Sequence, residues 1–394
     1  MKKFTTSLFI ILSVGLAFAS CNEYQVQPIL SVATATQTLQ RAEPTNTIQS
    51  ALVPTPTATP ILSYDVIDEK NVDELETLYQ WDVEHVISGS SSFWLSDSKQ
   101  FIIPTSKESG DGIQSFDVNN FTPGWFTQTD YPQGVTTDEH DQVITYLNGL
   151  HIFDAHGQEV QAITAQDNCG ETLTEYIVAI PGTDLIVTGH QDAEDEGGLN
   201  NPGVNIASLI IWDIDRNSCS ALLKRFNGRL FSLSVSPDGR YMSYSFGVRD
   251  PSYSWLVTTK VYDLNLRKGM CHIDGVTAQF NLQNQLAVYN SDDDTISLIT
   301  PSDCKIQLKF IVTNKLSEIA FSPNGDLLAG VSDSIVDLWS VKSGKKLQEL
   351  DLQATSNNLP LIGFSPDGRF LVVTKNATSP AEKDKVMLWG ILEK

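Results

Sequence analysis

Basic residues are scarce in this chain of 394 residues. It carries 26 Lys and Arg against 48 Asp and Glu, a formal charge of -22 at pH 7. A surface of that sign repels phosphate backbones, which excludes nucleic acid as a partner and suits cationic proteins or divalent ions. Catalytic signatures are missing as well. The six histidines never fall in a His-Glu-x-x-His pattern, and no Cys-x-x-Cys occurs. There is no Gly-x-Ser-x-Gly nucleophile elbow, no glycine-rich phosphate loop, and no helical stretch long enough for a hydrolase domain. These absences predict a protein that is not an enzyme and has no cofactor. The apolar run at 8–19 has 12 residues, well short of the roughly 20 that a membrane-crossing helix needs.

What is present begins with that short run. Lys2 and Lys3 precede it, and Phe18-Ala19-Ser20-Cys21 follows, with small residues directly before a cysteine. This is the layout of a cleaved export signal, and it resembles the lipobox of bacterial lipoproteins, with Phe18 where Leu is usual. The resemblance implies cleavage before Cys21, lipidation of its thiol, and a stable anchor, since each buried methylene contributes roughly 0.8 kcal/mol. Residues 29–60 are rich in Thr, Ala, Gln and Pro, ending in Pro54-Thr55-Pro56-Thr57-Ala58-Thr59-Pro60. Such a tract favours extended, solvated chain that buries no core. The expected organisation is therefore a signal peptide at 1–20, a lipidated tether at 21–60 and a folded domain at 61–394. The expected location is extracytoplasmic, lipid-anchored to a bacterial membrane.

Within 61–394 one phrase recurs. Phe321-Ser322-Pro323-Asn324-Gly325 returns as Phe364-Ser365-Pro366-Asp367-Gly368 and, more loosely, as Val235-Ser236-Pro237-Asp238-Gly239. The prolines are 86 and 43 residues apart. A period in the forties marks stacked copies of one supersecondary unit. Around it, 317–322, 326–332, 335–341 and 345–350 read as four strands joined by turns of Pro, Asn, Asp and Gly. Third strands end at Phe116-Asp117, Phe153-Asp154, Trp212-Asp213, Tyr262-Asp263, Ile299-Thr300, Trp339-Ser340 and Trp389-Gly390, a mean spacing of 45.5 residues. Those seven endings, with Trp212-Asp213 among them, resemble the WD-repeat propellers. The resemblance covers roughly 75–394 and implies a closed ring. The last copy stops without a fourth strand, while Leu75 to Trp81 forms a spare one before the first copy, which is expected to begin near Ser91. The prediction is an all-β, seven-bladed propeller of four-stranded antiparallel blades, shut by the N-terminal strand completing the last blade. Asp68 to Leu75 reads as a short helix leading in.

Cys169, Cys219, Cys271 and Cys304 are even in number, which invites disulfides in an exported protein. Cys219, Cys271 and Cys304 each stand at the start of a fourth strand in consecutive copies. Equivalent positions in neighbouring blades lie beyond the roughly 7 Å Cα limit for a bridge, so buried thiols are expected. Function is expected where the links grow. The links from second to third strands, 106–112, 189–207, 247–258, 291–294 and 375–384, share one face, whereas the first-to-second turns stay short. Two insertions carry chemistry. Asp192, Glu194 and Asp195 lie in an acidic stretch and are weak candidates for calcium. They lack the twelve-residue calcium-loop spacing, so a solvated loop is the favoured reading. Arg249, Tyr253 and Trp255 are residue types that dominate protein interfaces. They nominate a protein partner on the long-link face, against the plainer reading that Trp255 packs on its own blade. The expected function is a membrane-tethered, non-enzymatic interaction platform. The alternative is an extracytoplasmic receptor for a small ligand or divalent cation, using the central funnel or the acidic loop.

Overall fold

The computed structural model describes residues 63–393 except 88–93, 130–131, 133, 147, 166–172, 195–203, 251–253, 353–359, 378 and 380–381. The expected signal peptide, Cys21 and the tether lie outside the described residues. The described chain forms seven four-stranded antiparallel sheets. Blade 1 spans 85–128, blade 2 135–164, blade 3 173–227, blade 4 229–274, blade 5 277–311 and blade 6 318–351. Blade 7 takes three strands from 362–390, and its fourth is the N-terminal strand Glu76–Val83, paired with Asp384–Gly390. The seven expected third-strand endings all fall at the ends of third strands. A single 3-10 turn, Val72–Glu74, leads into the closing strand.

Blades stack because their strands are apolar on both faces. In blade 6, Leu327, Ala329 and Val331 join Ile362, Leu371 and Val373 of blade 7 in one cluster. The intervening Leu328 turns the other way, to Ala287, Tyr289 and Ile296 of blade 5. Period-two alternation thus sends successive side chains to opposite neighbours, and the strand reads as a continuous hydrophobic run. Seven such clusters are described, one at each junction between neighbouring blades. The junction of blades 7 and 1 is one of them. There Trp94 stacks on Phe370 at 6.3 Å, and its indole N–H donates to the Gly363 carbonyl at 3.3 Å. Asp384 of blade 7 also accepts the Val86 amide at 2.7 Å and lies 3.0 Å from His85 Nδ1. Those contacts place the first strand of blade 1 at His85–Val86, ahead of the expected start near Ser91.

The recurring Ser-Pro-Asx-Gly phrase builds one hydrogen-bonded turn three times. The glycine amide donates to the serine carbonyl at 2.8–2.9 Å, closing a turn that suits Pro at its second position. The serine hydroxyl donates to the Asx side chain at 2.6 Å at Ser236, Ser322 and Ser365 alike. It also accepts the amide five residues on. The glycines have φ of 67, 76 and 75°, a left-handed conformation that costs a side chain energy. Ser98, Asp141 and Asn284 hold the same position in blades 1, 2 and 5, at φ of 59, 58 and 60°. The turn outlasts its sequence signature.

The expectation of free thiols is overturned. Cys271 and Cys304 form a disulfide, with Cα atoms 6.0 Å apart. Cys219 is disulfide-bonded too, and Cys169 lies outside the described residues. The error lay in treating the cysteines as equivalent. Cys271 is eight residues past the third-strand end at Asp263, within the fourth strand Lys268–Asp274. Cys304 is four past Thr300, in the turn before the fourth strand Lys305–Ile311, at φ 58°. The outer strand of one blade packs against the third-to-fourth turn of the next, and the cysteines occupy the two sides of that seam. Other seams repeat the contact. Trp81 donates to Phe121 O at 3.1 Å, Trp125 to Ala155 O at 2.9 Å, and Gln161 to Ile214 O at 2.9 Å.

Three of the five long links are shorter than expected, while those at 291–294 and 375–384 fall where they were read. Strands run on to Glu194 and restart at Val204, in unbroken register from Leu185↔Asp213 to Glu194↔Val204. Likewise they run to Arg249 and restart at Trp255, and the 106–112 link shrinks to a two-residue turn before Gly110. Hairpin pairing satisfies backbone donors and acceptors for as long as two strands run side by side, so it invades an insertion from its base.

Candidate functional site: the two ends of the ring

All second-to-third links leave one end of the ring, because strands alternate in direction within each blade. On blade 4 this end carries a projecting hairpin, Tyr241–Arg249 with Trp255–Asp263. Its tip pairs Arg249 with Trp255 and Val248 with Leu256. Alternation puts those pairs on opposite faces of the hairpin. Val248 and Leu256 are 46% and 57% exposed. On the other face the Arg249 guanidinium lies 4.9 Å from the Trp255 ring centre, and Trp255 meets Phe231 edge-on at 5.4 Å. Phe231 belongs to the first strand of the same blade, so Trp255 packs on its own blade while remaining partly exposed. Tyr253 lies outside the described residues.

Asp192 and Glu194 sit in the second strand of blade 3, opposite Ile206 and Val204, and Asp195 lies outside the described residues. Among the described residues, no group of three or more His, Cys, Asp or Glu is arranged to hold a metal ion. The other acidic link, Asp292-Asp293-Asp294, is a polar turn. Asp292 N donates to Asn290 Oδ1 at 2.9 Å, and the Lys309 ammonium 2.8 Å from Asp293 holds that carboxyl below its usual range.

At the opposite end, where the first-to-second turns cluster, the axial channel opens into a cavity of about 430 Å³. First strands and turns of blades 1, 2, 5, 6 and 7 supply its wall. A second cavity of about 370 Å³ continues the opening past blades 2 to 5, sharing Thr137, Asp138, Gln279, Phe280 and Leu282 with the first. Trp94, Phe280, Phe321 and Phe364 give the larger cavity an aromatic lining, and Pro323 and Pro366 of the recurring turns stand at its rim.

Glu318, first residue of the strand Glu318–Phe321, lines this cavity. Its Oε1 accepts from Thr277 Oγ1 and from the Ile319 amide, each at 3.3 Å. Its side chain is part-buried in the channel wall. That burial pushes its carboxyl up to about 7, outweighing the lowering by the Ile319 amide and the Thr277 hydroxyl. Among the described residues, no Lys, Arg or His forms an ion pair with it. Sequence reasoning passed over Glu318: its leading reading placed function at the other end, and its alternative named the central funnel without a residue there. A signal existed. The same place in the inner strands of blades 4, 5 and 7, three residues before Val235, Phe280 and Phe364, holds Ser232, Thr277 and Leu361, so a carboxylate there breaks the pattern.

The fold defined by these contacts is a seven-bladed β-propeller. No protein-family model matches the sequence, and no curated protein matches it either.

Proposed function

We propose that this propeller is a non-enzymatic interaction platform, held outside the cytoplasm on a bacterial membrane by lipid on Cys21, and that it docks a protein partner through the end of the ring bearing the long links. One observation carries the docking: the blade 4 hairpin presents exposed Val248 and Leu256 on one face and a partly exposed Arg249–Trp255 pair on the other. Aromatic and Arg side chains standing beside apolar ones are the usual centre of a protein interface. The acidic charge of the chain favours a basic partner surface. The tether is supported by the small-residue run before Cys21 and the Pro-Thr tract after it. The non-enzymatic role is supported by the missing catalytic signatures.

The test is cross-linking and pull-down from native membranes with wild-type protein and with Arg249→Ala/Trp255→Ala. Loss of a specific partner in the double variant, with an unchanged unfolding temperature, supports the platform. An unchanged partner list disproves docking at this hairpin. Release of a Cys21→Ala protein into the soluble fraction tests the anchor separately.

A further inference from the structure

We propose that the axial cavity at the short-turn end binds a small organic ammonium ion, with Glu318 as its counter-charge and the aromatic wall around its apolar groups. This goes beyond docking at the long-link end, since it concerns the other end of the ring and a different class of ligand.

Three observations converge. First, the cavity of about 430 Å³ falls within the size of small-molecule sites, roughly 300–1,000 Å³, and its wall is mostly apolar. Second, Glu318 is a carboxylate without a cation. Its Oε1 is satisfied by Thr277 and the Ile319 amide, whereas Oε2 has no hydrogen-bond partner among the described residues. Glu318 is part-buried and lines the cavity, so a cation held there can reach its carboxylate. Third, Trp94, Phe280, Phe321 and Phe364 line the same space. Aromatic faces attract cations that carry methyl or methylene groups. A carboxylate beside aromatic rings therefore selects a charged nitrogen on an apolar body, over an anion or a neutral sugar.

The surroundings leave Glu318 as the responsive charge. The strands packed nearest are the first strand of blade 5 (Thr277–Phe280), the second strand of blade 6 (Leu327–Val331) and the first strand of blade 7 (Ile362–Phe364), and none carries a titratable side chain. The second strand of blade 5 (Leu286–Asn290) brings Tyr289, whose hydroxyl donates to Asp294 at 3.4 Å. Asp138, across the opening, already accepts the His140 and Gln142 amides at 2.9 and 2.8 Å, and His140 Nδ1 lies 3.7 Å from it. Asp138 thus adds to the negative potential, while Glu318 supplies the unengaged oxygen.

The experiment is calorimetric titration of the full-length protein with choline and with its uncharged isostere, 3,3-dimethylbutan-1-ol. Choline is expected to bind, and the isostere to bind at least about tenfold more weakly, a gap of about 1.4 kcal/mol. Glu318→Gln is expected to erase that preference. A pH series on the wild-type protein needs no variant. Choline keeps its charge at every pH, so its affinity should be constant above about pH 8 and fall about tenfold per unit once the carboxyl is protonated. Equal binding of the isostere, affinity that does not change between pH 5.5 and 8.5, or no binding of choline at all would each overturn the proposal. Displacement of choline by equimolar calcium chloride would do the same, by reassigning the site to a metal.

Discussion

The seam between blades 1 and 2 and the seam between blades 4 and 5 occupy the same place in the fold and are held by different chemistry. At the first, Trp125 donates to Ala155 O, its ring covers Gly157, and Thr127 Oγ1 donates to Gly157 O at 2.6 Å. At the second, Cys271 is bonded covalently to Cys304. Between blades 5 and 6 the same seam is apolar, with Phe310 lying against Gly344. The same outer-strand-to-turn contact recurs at the seams of blades 7–1, 1–2, 2–3, 4–5 and 5–6. The residues that fill it are free to be an indole, an amide, a phenyl ring or a disulfide.

Four measurements would break or sharpen that comparison. The largest effect is expected at the covalent seam. Cys271→Ser with Cys304→Ser removes a cross-link between residues 33 apart in sequence, and should cost about 3 kcal/mol in denaturant unfolding under oxidising conditions. A loss no larger than that of a hydrogen bond would mean that the blade 4–5 seam is already held by packing. Next comes Gly157→Ala. Its φ is 78°, and a Cβ would stand 2.3 Å from the Trp125 ring, so a loss of about 2 kcal/mol is expected from left-handed strain and the shifted indole. An effect below a few tenths of a kcal/mol would show that this seam is loose.

The inner wall should respond to pH where the seams do not. Glu318 has a folded-state pKa raised from 4.5 to about 7. Between those values the folded state holds more protons than the unfolded one, so this group makes stability fall as pH rises from about 4.5 to 7, then level off. Its contribution is on the order of 2 kcal/mol, reduced by its contact with the channel. Glu318→Gln should flatten that part of the stability profile and unfold later than wild type at pH 8. A variant less stable than wild type at pH 8 would contradict the burial argument. The smallest effect belongs to Gln161→Ala, which removes a half-exposed hydrogen bond to Ile214 O and should cost about 1 kcal/mol or less. A larger loss would place the amide seam on a par with the indole one.

Much of the ring was legible because its signals are local. Ser236, Ser322 and Ser365 announce their turns through bonds reaching at most five residues. The third-strand endings counted the blades, including blades 1 and 2, whose turns use Ser98 and Asp141 where blades 4, 6 and 7 use glycine. The closing strand was legible as a surplus at one end of the chain matched by a deficit at the other. The insertion at 249–255 was visible, and so was the plainer reading that Trp255 packs on its own blade; its partner Phe231 was not, because that contact crosses from the third strand to the first within a blade. The disulfide was misjudged because counting along the repeat treated Cys271 and Cys304 as equivalent, when one is in a strand and the other in a turn.

The sequence alone determined what depends on neighbours along the chain: the turns, the alternation of strands and the number of blades. Only the tertiary structure decided what depends on neighbours across blades: the Cys271–Cys304 bridge, the indole and amide seams, and the placing of Glu318 beside Thr277 in an aromatic-lined channel. The physical reason is distance. Turn and strand energetics act over a few residues, whereas Glu318 and Thr277 are 41 residues apart and meet only because the stacked blades place their inner strands side by side around a common axis.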